Sequence, residues 1–270
     1  MTETAPRPAP LAAAPPPQGA PPSQRLLGLR FDSLDLEAVL ARLAARDPAA
    51  PFAYVVTPNA DHLLRHARAD AALRAVYEGA WLSVCDSRVL RLLAARRGIR
   101  LELAPGSDLT EALFTRGLAG PDTPVTVIGG APELAEALRQ RFGLRRLSHH
   151  NPPMGFIDDP AAVAACVDFV LAHPARFVLL CTGSPRQEVL AARIAQSGRA
   201  SGIGLCVGAA LEFTTGAKKR APLWMQRAHL EWLHRLASEP RRLWRRYILE
   251  APRLLWLMRR VERPRDAPPG

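Results

Sequence analysis

Residues 124–142 read PVTVIGGAPELAEALRQRF. The opening run PVTVIGG is short, continuous and apolar and ends in two glycines, which predicts a strand buried on both faces. A helix at about 132–142 follows directly. The same order returns at FVLLCTG (177–183), which precedes a helix from about 185 to 197. Strands and helices that alternate at this spacing predict an α/β fold, a Rossmann-like parallel sheet flanked by helices.

The flanking sequence extends this pattern in both directions. A helix is predicted over 34–46, with Asp32 or Ser33 as its candidate N-cap. Other helices are predicted over 60–78, 87–97 and about 109–118. Three more short runs predict strands: FAYVVT (52–57), WLSVC (81–85) and IGLCVGAA (203–210).

Polar residues and glycines occur at the carboxyl ends of the predicted strands. An open parallel sheet binds its ligands beyond the carboxyl ends of its strands. We therefore expect these ends to converge on one cleft. They carry Thr57-Pro58-Asn59, Asp86, Gly129-Gly130, Thr182-Gly183-Ser184 and Gly208.

Asp86 is the one acidic residue at these strand ends. A carboxylate there can act as a general base on a substrate hydroxyl, but a helix follows at once, so an N-cap is an equal alternative. Asn59 also stands where it can cap a helix. Asp108 precedes Glu111 by three residues, a capping-box arrangement that favours a capping role.

Gly129-Gly130 would let the backbone approach a ligand closely, and the following helix N-terminus can meet a phosphate. The pattern is neither a G-x-G-x-x-G fingerprint nor a P-loop. In GSPRQE (183–188), Pro185 suits a first helical position, and Gln187 would face the cleft, with a surface position as the alternative. His149 and His150 are expected at the surface.

The stretch 218–265 holds almost all the excess charge. It has fourteen Lys and Arg against four Glu, in a chain of formal net charge +11, and four of the five tryptophans. Arginine interleaved with tryptophan, tyrosine and leucine suits an interface that is apolar on one side and anionic on the other. The pattern predicts peripheral contact with an anionic membrane surface.

Residues 241–251 fit one helix whose apolar face carries Leu243, Trp244, Tyr247, Ile248 and Ala251. Pro240 and Pro252 should divide the stretch into short helices. Two other interpretations stay open: the apolar face packs on the body, or the arginines bind single-stranded nucleic acid. The sequence has no RNA-binding or helix-turn-helix pattern to support nucleic acid as a partner.

The four cysteines form no C-x-x-C pair, and three of them lie in strand-like runs typical of buried free thiols. This favours a reducing compartment, the cytoplasm. Residues 1–23 contain eight prolines and six alanines, which predicts a disordered leader rather than a signal peptide. No apolar run reaches the length of about 18 residues that a membrane span requires.

Several segments, in this order, resemble the WecG/TagA/CpsF glycosyltransferases of bacterial surface polysaccharide synthesis. The resemblance covers about residues 27–250. Its most specific part is VGAALEFTTGAKKRAPLWMQRAHLEWLHRL followed by EPRRLWRRY. The other matching segments are TPNADHLL, the strand-end Asp86, APGSDL, VIGG, the GF of PPMGF, and GSPRQE.

The resemblance implies an inverting transfer, with no essential metal or other cofactor, of a sugar such as N-acetylmannosamine. The donor would be a UDP-sugar and the acceptor would be linked to undecaprenyl diphosphate. The family's catalytic aspartate falls on Asp86, and its threonine, asparagine and glutamine fall on Thr57, Asn59 and Gln187. Substrate contacts are expected at Gly129, Gly130, Gly183, Gly208 and Asp108.

The family's basic C-terminal appendage falls on about 213–250, where it is thought to bind the membrane and close over the site. The arginines expected at the diphosphate are Arg220, Arg242, Arg245 and Arg246. One departure concerns the aspartate, because the family leads us to expect Pro-Asp-Gly where this chain has Cys85-Asp86-Ser87.

The sequence therefore predicts a disordered leader (1–25), an α/β body (26–212), a basic helical membrane-binding appendage (213–262) and a disordered tail (263–270). The protein would lie in the cytoplasm on the inner face of the cell membrane, and a homo-oligomer stays open. Two alternatives are a Rossmann-type nucleotide-sugar oxidoreductase or epimerase, which the missing glycine fingerprint disfavours, and a non-enzymatic membrane or nucleic-acid adaptor.

Overall fold

A computed structural model describes residues 19–218, Met225 and residues 251–259. In this part of the chain an antiparallel hairpin, β1 (Ser23–Leu26) and β2 (Leu29–Asp32), precedes one parallel sheet. The sheet strands are β3 (Ala53–Val56), β4 (Leu82–Ser83), β5 (Val125–Ile128), β6 (Leu147–His150), β7 (Phe177–Leu180) and β8 (Ile203–Cys206). Their order is β4-β3-β8-β7-β5-β6, and every neighbouring pair is parallel. The predicted parallel α/β sheet is confirmed.

Helices follow the strands and cover both faces of the sheet. They are α1 (Leu36–Ala45), α2 (Ala60–Ala67), α3 (Ala71–Glu78), α4 (Arg88–Ala95), α5 (Gly106–Thr115), α6 (Pro132–Phe142), α7 (Pro160–Ala172), α8 (Arg186–Gln196), α9 (Ala210–Thr214) and α10 (Ala251–Arg259). A short 3-10 turn, Phe156–Asp158, leads into α7.

The core lies in two layers because side chains of the central strands alternate between the faces. On β7, Val178 and Leu180 belong to one buried cluster, whereas Phe177 and Leu179 belong to the other. The hairpin, α2, α3, α4, α7, α8 and α10 cover the first cluster. The second lies under α1, α5, α6 and α9. Since β5, β7 and β8 are buried along their whole length, their sequences are continuously apolar or small rather than alternating.

Buried polar contacts tie the hairpin to the sheet. The backbone N–H of Ser83 donates to Asp32 Oδ2 at 2.8 Å, and the Ser83 hydroxyl donates to Arg30 O at 2.6 Å. Burial raises the pKa of the Asp32 carboxyl, although the hydrogen bond from Ser83 and the charge of Arg30 act against that rise. The prediction that Asp32 or Ser33 caps α1 is wrong, because the cap is Asp35, whose side chain accepts from Ala38 N.

Three further local predictions need correction. The helix predicted over 60–78 is two helices, because Asp70 accepts from Leu73 N and starts α3 there. Helix α5 begins at Gly106, earlier than predicted, so Asp108 lies in its first turn and does not cap it. Pro185 immediately precedes α8 instead of occupying its first position.

The end of the chain that the structure describes packs on the body. Leu254 and Met258 of α10 are buried in the same cluster as Leu90 and Ala94 of α4. The interpretation that the C-terminal stretch packs on the body therefore holds for α10. The apolar face predicted over 241–251 falls, apart from its last residue, outside the described residues, as do the leader up to residue 18 and the tail after residue 259.

We expect Asp32→Ala to lower the free energy of unfolding by about 2 kcal/mol, because it leaves the Ser83 N–H buried without its acceptor. Asp35→Ala removes a helix cap and should cost about 1 kcal/mol. Urea unfolding of both variants measures the difference. A smaller loss for Asp32→Ala than for Asp35→Ala would contradict the assignment of Asp32 as a buried link to the sheet.

Candidate active site

The carboxyl ends of five neighbouring strands carry the residues singled out by the sequence. Their order along the edge follows the strand order: Asp86 after β4, Thr57 and Asn59 after β3, Gly208 after β8, Gly183 and Gln187 after β7, and Gly129-Gly130 after β5. Residues from five distant parts of the chain thus meet along one edge of the sheet, which is where an open α/β sheet binds its ligands.

Asp86 is held against the N-terminus of α5. Its Oδ1 accepts the backbone N–H of Gly106 at 3.0 Å, and its own backbone N–H donates to Pro58 O at 2.9 Å. The Thr57 side chain closes the same corner, because a Cβ on Gly106 would stand 3.1 Å from Thr57 Oγ1. Thr57 is buried and donates to Cys206 O at 3.0 Å. The carboxylate is therefore fixed in orientation at the junction of two strand ends.

Asp86 does not cap the helix that follows it. The N-cap of α4 is Ser87, whose Oγ accepts from Leu90 N at 3.1 Å. This explains the departure at Cys85-Asp86-Ser87: Ser87 has φ −145°, an extended conformation open to any residue, and its hydroxyl performs a task that glycine cannot. The alternative role for Asp86 as an N-cap of α4 is wrong.

Gln187 points inward, and its side chain joins two strand ends. Its Oε1 accepts the backbone N–H of Gly208 at 2.9 Å, and its Nε2 donates to Glu188 Oε1 at 2.9 Å. Gln187 is 3% exposed and Glu188 is fully buried. The surface alternative for Gln187 is therefore wrong. The contact fixes the loop after β8 against the first turn of α8.

His62 extends this network to a third strand end. Its Nε2 lies 3.4 Å from Glu188 Oε1 and its Nδ1 lies 2.9 Å from Asn59 Oδ1. That oxygen already accepts the backbone N–H groups of Asp61 and His62, so it is an acceptor and Nδ1 must donate to it. The longer contact, 3.4 Å from Asn59 N to Nδ1, would need the opposite tautomer. The ring therefore bridges Asn59 and Glu188.

Glu188 is a fully buried carboxylate that keeps its charge. Burial alone would raise its pKa, but hydrogen bonds from His62 and Gln187 and the charge of His62 outweigh burial, so its pKa is lowered. Burial, and then the charge of Glu188, raise the pKa of the nearby Tyr77 phenol. Glu188 Oε2 has no hydrogen-bond partner among the described residues. The contacts from His62 and Gln187 that stabilise the charge therefore both reach one oxygen, Oε1.

Gly129 and Gly130 are needed where they are because the chain leaves no room for a side chain. Their φ angles are +91° and +79°, which side chains rarely adopt. A Cβ on Gly129 would lie 2.8 Å from Thr182 Cγ2 and 3.0 Å from the carbonyl carbon of Cys181. A Cβ on Gly130 would lie 3.1 Å from Leu211 Cδ2. Both the backbone conformation and the neighbouring atoms therefore require glycine at these two positions.

The sequence profile of the glycosyl transferase WecG/TagA/CpsF family matches residues 24–267. The chain belongs to this family. It is therefore a glycosyltransferase of cell-surface polysaccharide synthesis, an activity that takes a nucleotide-sugar donor and a lipid-linked acceptor. The match decides against the oxidoreductase or epimerase and against the non-enzymatic adaptor.

Sequence reasoning missed four polar residues at this glycosyltransferase's cleft. His62 and Glu188 lie within the matching segments TPNADHLL and GSPRQE, and their signal is their position in the first turn of a helix that follows a strand. Arg65 donates to Ser184 Oγ at 2.8 Å and pairs with Asp61. Arg186 Nη2 lies 3.2 Å from where a Cβ on Gly183 would stand.

The remaining predicted residues fall into three groups. His149 and His150 are partly exposed on the edge strand β6, and His149 Nε2 contacts the carbonyls of Gly129 and Gly130. The four cysteines are free, and burial raises their pKa values, to about 12 for Cys85, so they remain thiols. The predicted diphosphate contacts lie outside the described residues: Arg220, Arg242, Arg245 and Arg246.

The described residues of this glycosyltransferase hold no group of three or more His, Cys, Asp or Glu side chains arranged to bind a metal ion. They also include no helix that is both long enough and apolar enough to cross a bilayer.

We expect Glu188→Gln to destabilise the protein at pH 7 by about 2 kcal/mol, because it removes the charge that His62 and Gln187 stabilise. A lowered carboxyl pKa stabilises the fold above the group's ordinary pKa of 4.5 and loses that contribution as pH falls through the folded value. The difference between wild type and variant should therefore shrink below about pH 4.5. Chemical unfolding between pH 3 and pH 8 measures it.

The matched control is Glu37→Gln, which neutralises an exposed ion pair with Arg116. It should change the free energy of unfolding by less than about 1 kcal/mol. Equal effects of the two substitutions at pH 7 would contradict a charged, stabilising Glu188.

Proposed function

We propose that this glycosyltransferase moves a sugar from a UDP-sugar to an acceptor linked to undecaprenyl diphosphate, with inversion and without a metal. The donor sugar is N-acetylmannosamine or a related hexose. The observation that carries the proposal is the oriented carboxylate of Asp86 at the corner formed by Thr57, Pro58 and Gly106, at the carboxyl edge of the sheet.

Asp86 acts as the general base. The acceptor hydroxyl attacks the anomeric carbon while its proton passes to the Asp86 carboxylate. The new bond joins the acceptor oxygen to the anomeric carbon, and the bond from that carbon to the UDP oxygen breaks on the opposite face. Attack from one face and departure from the other invert the configuration. The N–H of Gly106 supports the arrangement because it holds one carboxylate oxygen in place.

Thr57, Asn59 and Gln187 support the reaction mainly by holding the site in shape. Each uses a side-chain oxygen to fix backbone at a strand end: Thr57 to Cys206, Asn59 to the first turn of α2, and Gln187 to Gly208. A site whose supporting groups are fixed in advance orients its substrates at little further cost in entropy.

The donor's diphosphate lies towards the glycine-lined end of the cleft. Gly129, Gly130, Gly183 and Gly208 allow close backbone approach there, and Asp108, in the first turn of α5, lies towards the Asp86 end. Because no metal takes part, arginines stabilise the departing diphosphate, since their planar donors match phosphate oxygens. We assign this role to Arg220, Arg242, Arg245 and Arg246 of the C-terminal stretch.

The acceptor's lipid places the enzyme at a membrane. We propose that it lies in the cytoplasm, peripherally bound to the inner face of the cell membrane, and that the basic stretch 213–262 supplies the contact. The support is the excess of fourteen Lys and Arg over four Glu in residues 218–265. Each basic residue near an anionic surface contributes about 1 kcal/mol, less at high salt.

We expect Asp86→Asn to cut turnover by about 10² or more while leaving UDP binding and folding unchanged. Asparagine keeps an oxygen that can accept the Gly106 N–H but cannot take the proton. UDP release in the presence of donor and lipid-linked acceptor measures turnover. Near-native turnover in a folded variant would rule out Asp86 as the base.

Gly130→Val should weaken UDP binding much more than it changes folding. The residue has φ +79°, and its added side chain would crowd Leu211 and displace the backbone that lines the proposed diphosphate site. Calorimetric titration with UDP measures the affinity. Gly143→Val is the control, since Gly143 also has positive φ, +64°, but meets nothing within 4 Å and follows α6 at the other end. Equal UDP affinity in the two variants would contradict this donor placement.

A further inference from the structure

Two contacting helices expose apolar side chains. Among the described residues, five large apolar side chains are exposed, and four of them lie on α4 and α10: Val89, Leu92, Leu255 and Trp256. Trp256 is 51% exposed and Leu255 is 49% exposed. A concentration of large apolar surface on adjacent elements indicates a surface that binds something.

Both helices are fixed to the body by their other side. Leu90 and Ala94 of α4 and Leu254 and Met258 of α10 are buried in one cluster, so the two helices lie side by side. On α4 the exposed Val89 and Leu92 are three residues apart and share a helix face. The exposed apolar side chains are thus presented by a rigid support.

The charge carried by the two helices and by the turn after α4 has one sign. Residues 87–100 and 251–259 contain seven arginines and no aspartate or glutamate. None of the seven forms an ion pair with an acidic residue that the structure describes. The arginines are Arg88, Arg91, Arg96, Arg97, Arg100, Arg253 and Arg259.

We propose that α4, a helix of the α/β body, binds the surface of an anionic bilayer together with α10 of the C-terminal stretch, so that the body itself docks on the membrane. This inference rests on the membrane-bound acceptor of the proposed function. Apolar side chains among arginines match the boundary between acyl chains and anionic headgroups. A second copy of the chain fits the face poorly, because a two-fold contact would set seven arginines against seven arginines.

The docking face also explains where the acceptor meets the base. Helix α4 starts at Arg88, two residues after Asp86. A bilayer that lies along α4 therefore brings its headgroups close to the proposed catalytic carboxylate. An acceptor whose lipid stays in the bilayer can then reach the cleft with its sugar while its diphosphate remains near the surface.

The test compares two double variants of the full chain, each of which removes one exposed leucine and reverses one arginine charge. They are Leu92→Glu with Arg96→Glu on α4, and Leu255→Glu with Arg259→Glu on α10. These side chains are exposed, so thermal unfolding should stay close to wild type. Each charge lost near the surface should weaken binding about fivefold. Cosedimentation with phosphatidylcholine vesicles containing phosphatidylglycerol should therefore show at least a tenfold loss for either pair, and high salt should weaken binding of the wild type.

The matched control is Ala41→Glu with Arg146→Glu, an equal charge change on exposed residues near the second core cluster, on the other face of the sheet. It should bind vesicles within about twofold of wild type. Wild-type binding by the α4 variant would overturn the proposal, whatever the α10 variant does, because α10 belongs to the stretch already assigned to the membrane. A dimer in analytical ultracentrifugation that either pair converts to a monomer would also overturn it, because the face would then join two copies.

The same variants distinguish a failure of this inference from a failure of the proposed function. With a short-chain acceptor in detergent, the α4 and α10 variants should release UDP at the wild-type rate, since no bilayer is involved. Wild type that binds anionic vesicles but transfers no sugar would refute the proposed function and leave the docking face standing. Wild type that transfers in detergent while the variants bind vesicles normally would refute only the docking face.

Discussion

The hydrogen bonds to the buried carboxylate of Glu188 are the constraint on which the rest of the site depends. His62 and Gln187 share one of its oxygens, and through them it reaches Asn59 at the end of β3 and Gly208 at the end of β8. Separating one of these partners would leave the buried charge uncompensated and would cost several kcal/mol of folding free energy. The folded state therefore keeps these groups together. The network thereby turns three loops into one fixed edge.

The strand order determines how a ligand can lie along that edge. Asp86 stands after the outer strand β4, and the diglycine stands after β5, four strands away. At about 4.8 Å between strands, the separation is about 19 Å. A donor made of a base, a ribose, a diphosphate and a sugar is long enough to use such a span. The order thus favours a reacting sugar near Asp86 and a nucleotide near Gly129 and Gly130.

The sequence predicted the central strands because burial on both faces leaves no room for polar residues, as FVLLCTG and PVTVIGG show. It predicted the edge strand β4 but missed the other edge strand, β6, where that constraint is relaxed. β6 reads LSHH, and its exposed side lets two histidines stand in a strand. Helix α7 is apolar on nearly every side, so no periodicity marked it, although only Cys166 and Val170 are buried.

Local patterns also misassigned residues whose partners are distant in sequence. Asp32 looks like a cap for the helix that follows it, yet it bonds to Ser83, fifty-one residues away. Asp86 looks equally like a cap for the helix that follows it. Its side chain instead accepts the backbone N–H of Gly106, which lies twenty residues away at the start of α5. Conversely, Asn59 was correctly placed as a helix cap, because capping needs only the next three residues. What spacing cannot reveal is which strand ends become neighbours.

The charge at the described cleft leaves part of the proposed reaction to the C-terminal stretch. The proposed donor and the proposed acceptor each carry a diphosphate, so two doubly charged groups would meet near the sheet edge. Near Gly183 the described residues supply Arg186 and Arg65, and Arg65 is already bonded to Asp61 and Ser184. Bringing two diphosphates together with so little opposing charge would be strongly unfavourable in a water-poor cleft. The arginines of residues 220–246 can offset that repulsion, and a stretch that also binds the bilayer would do so where the acceptor is. A site completed only at the membrane would spare the donor from attack by water elsewhere.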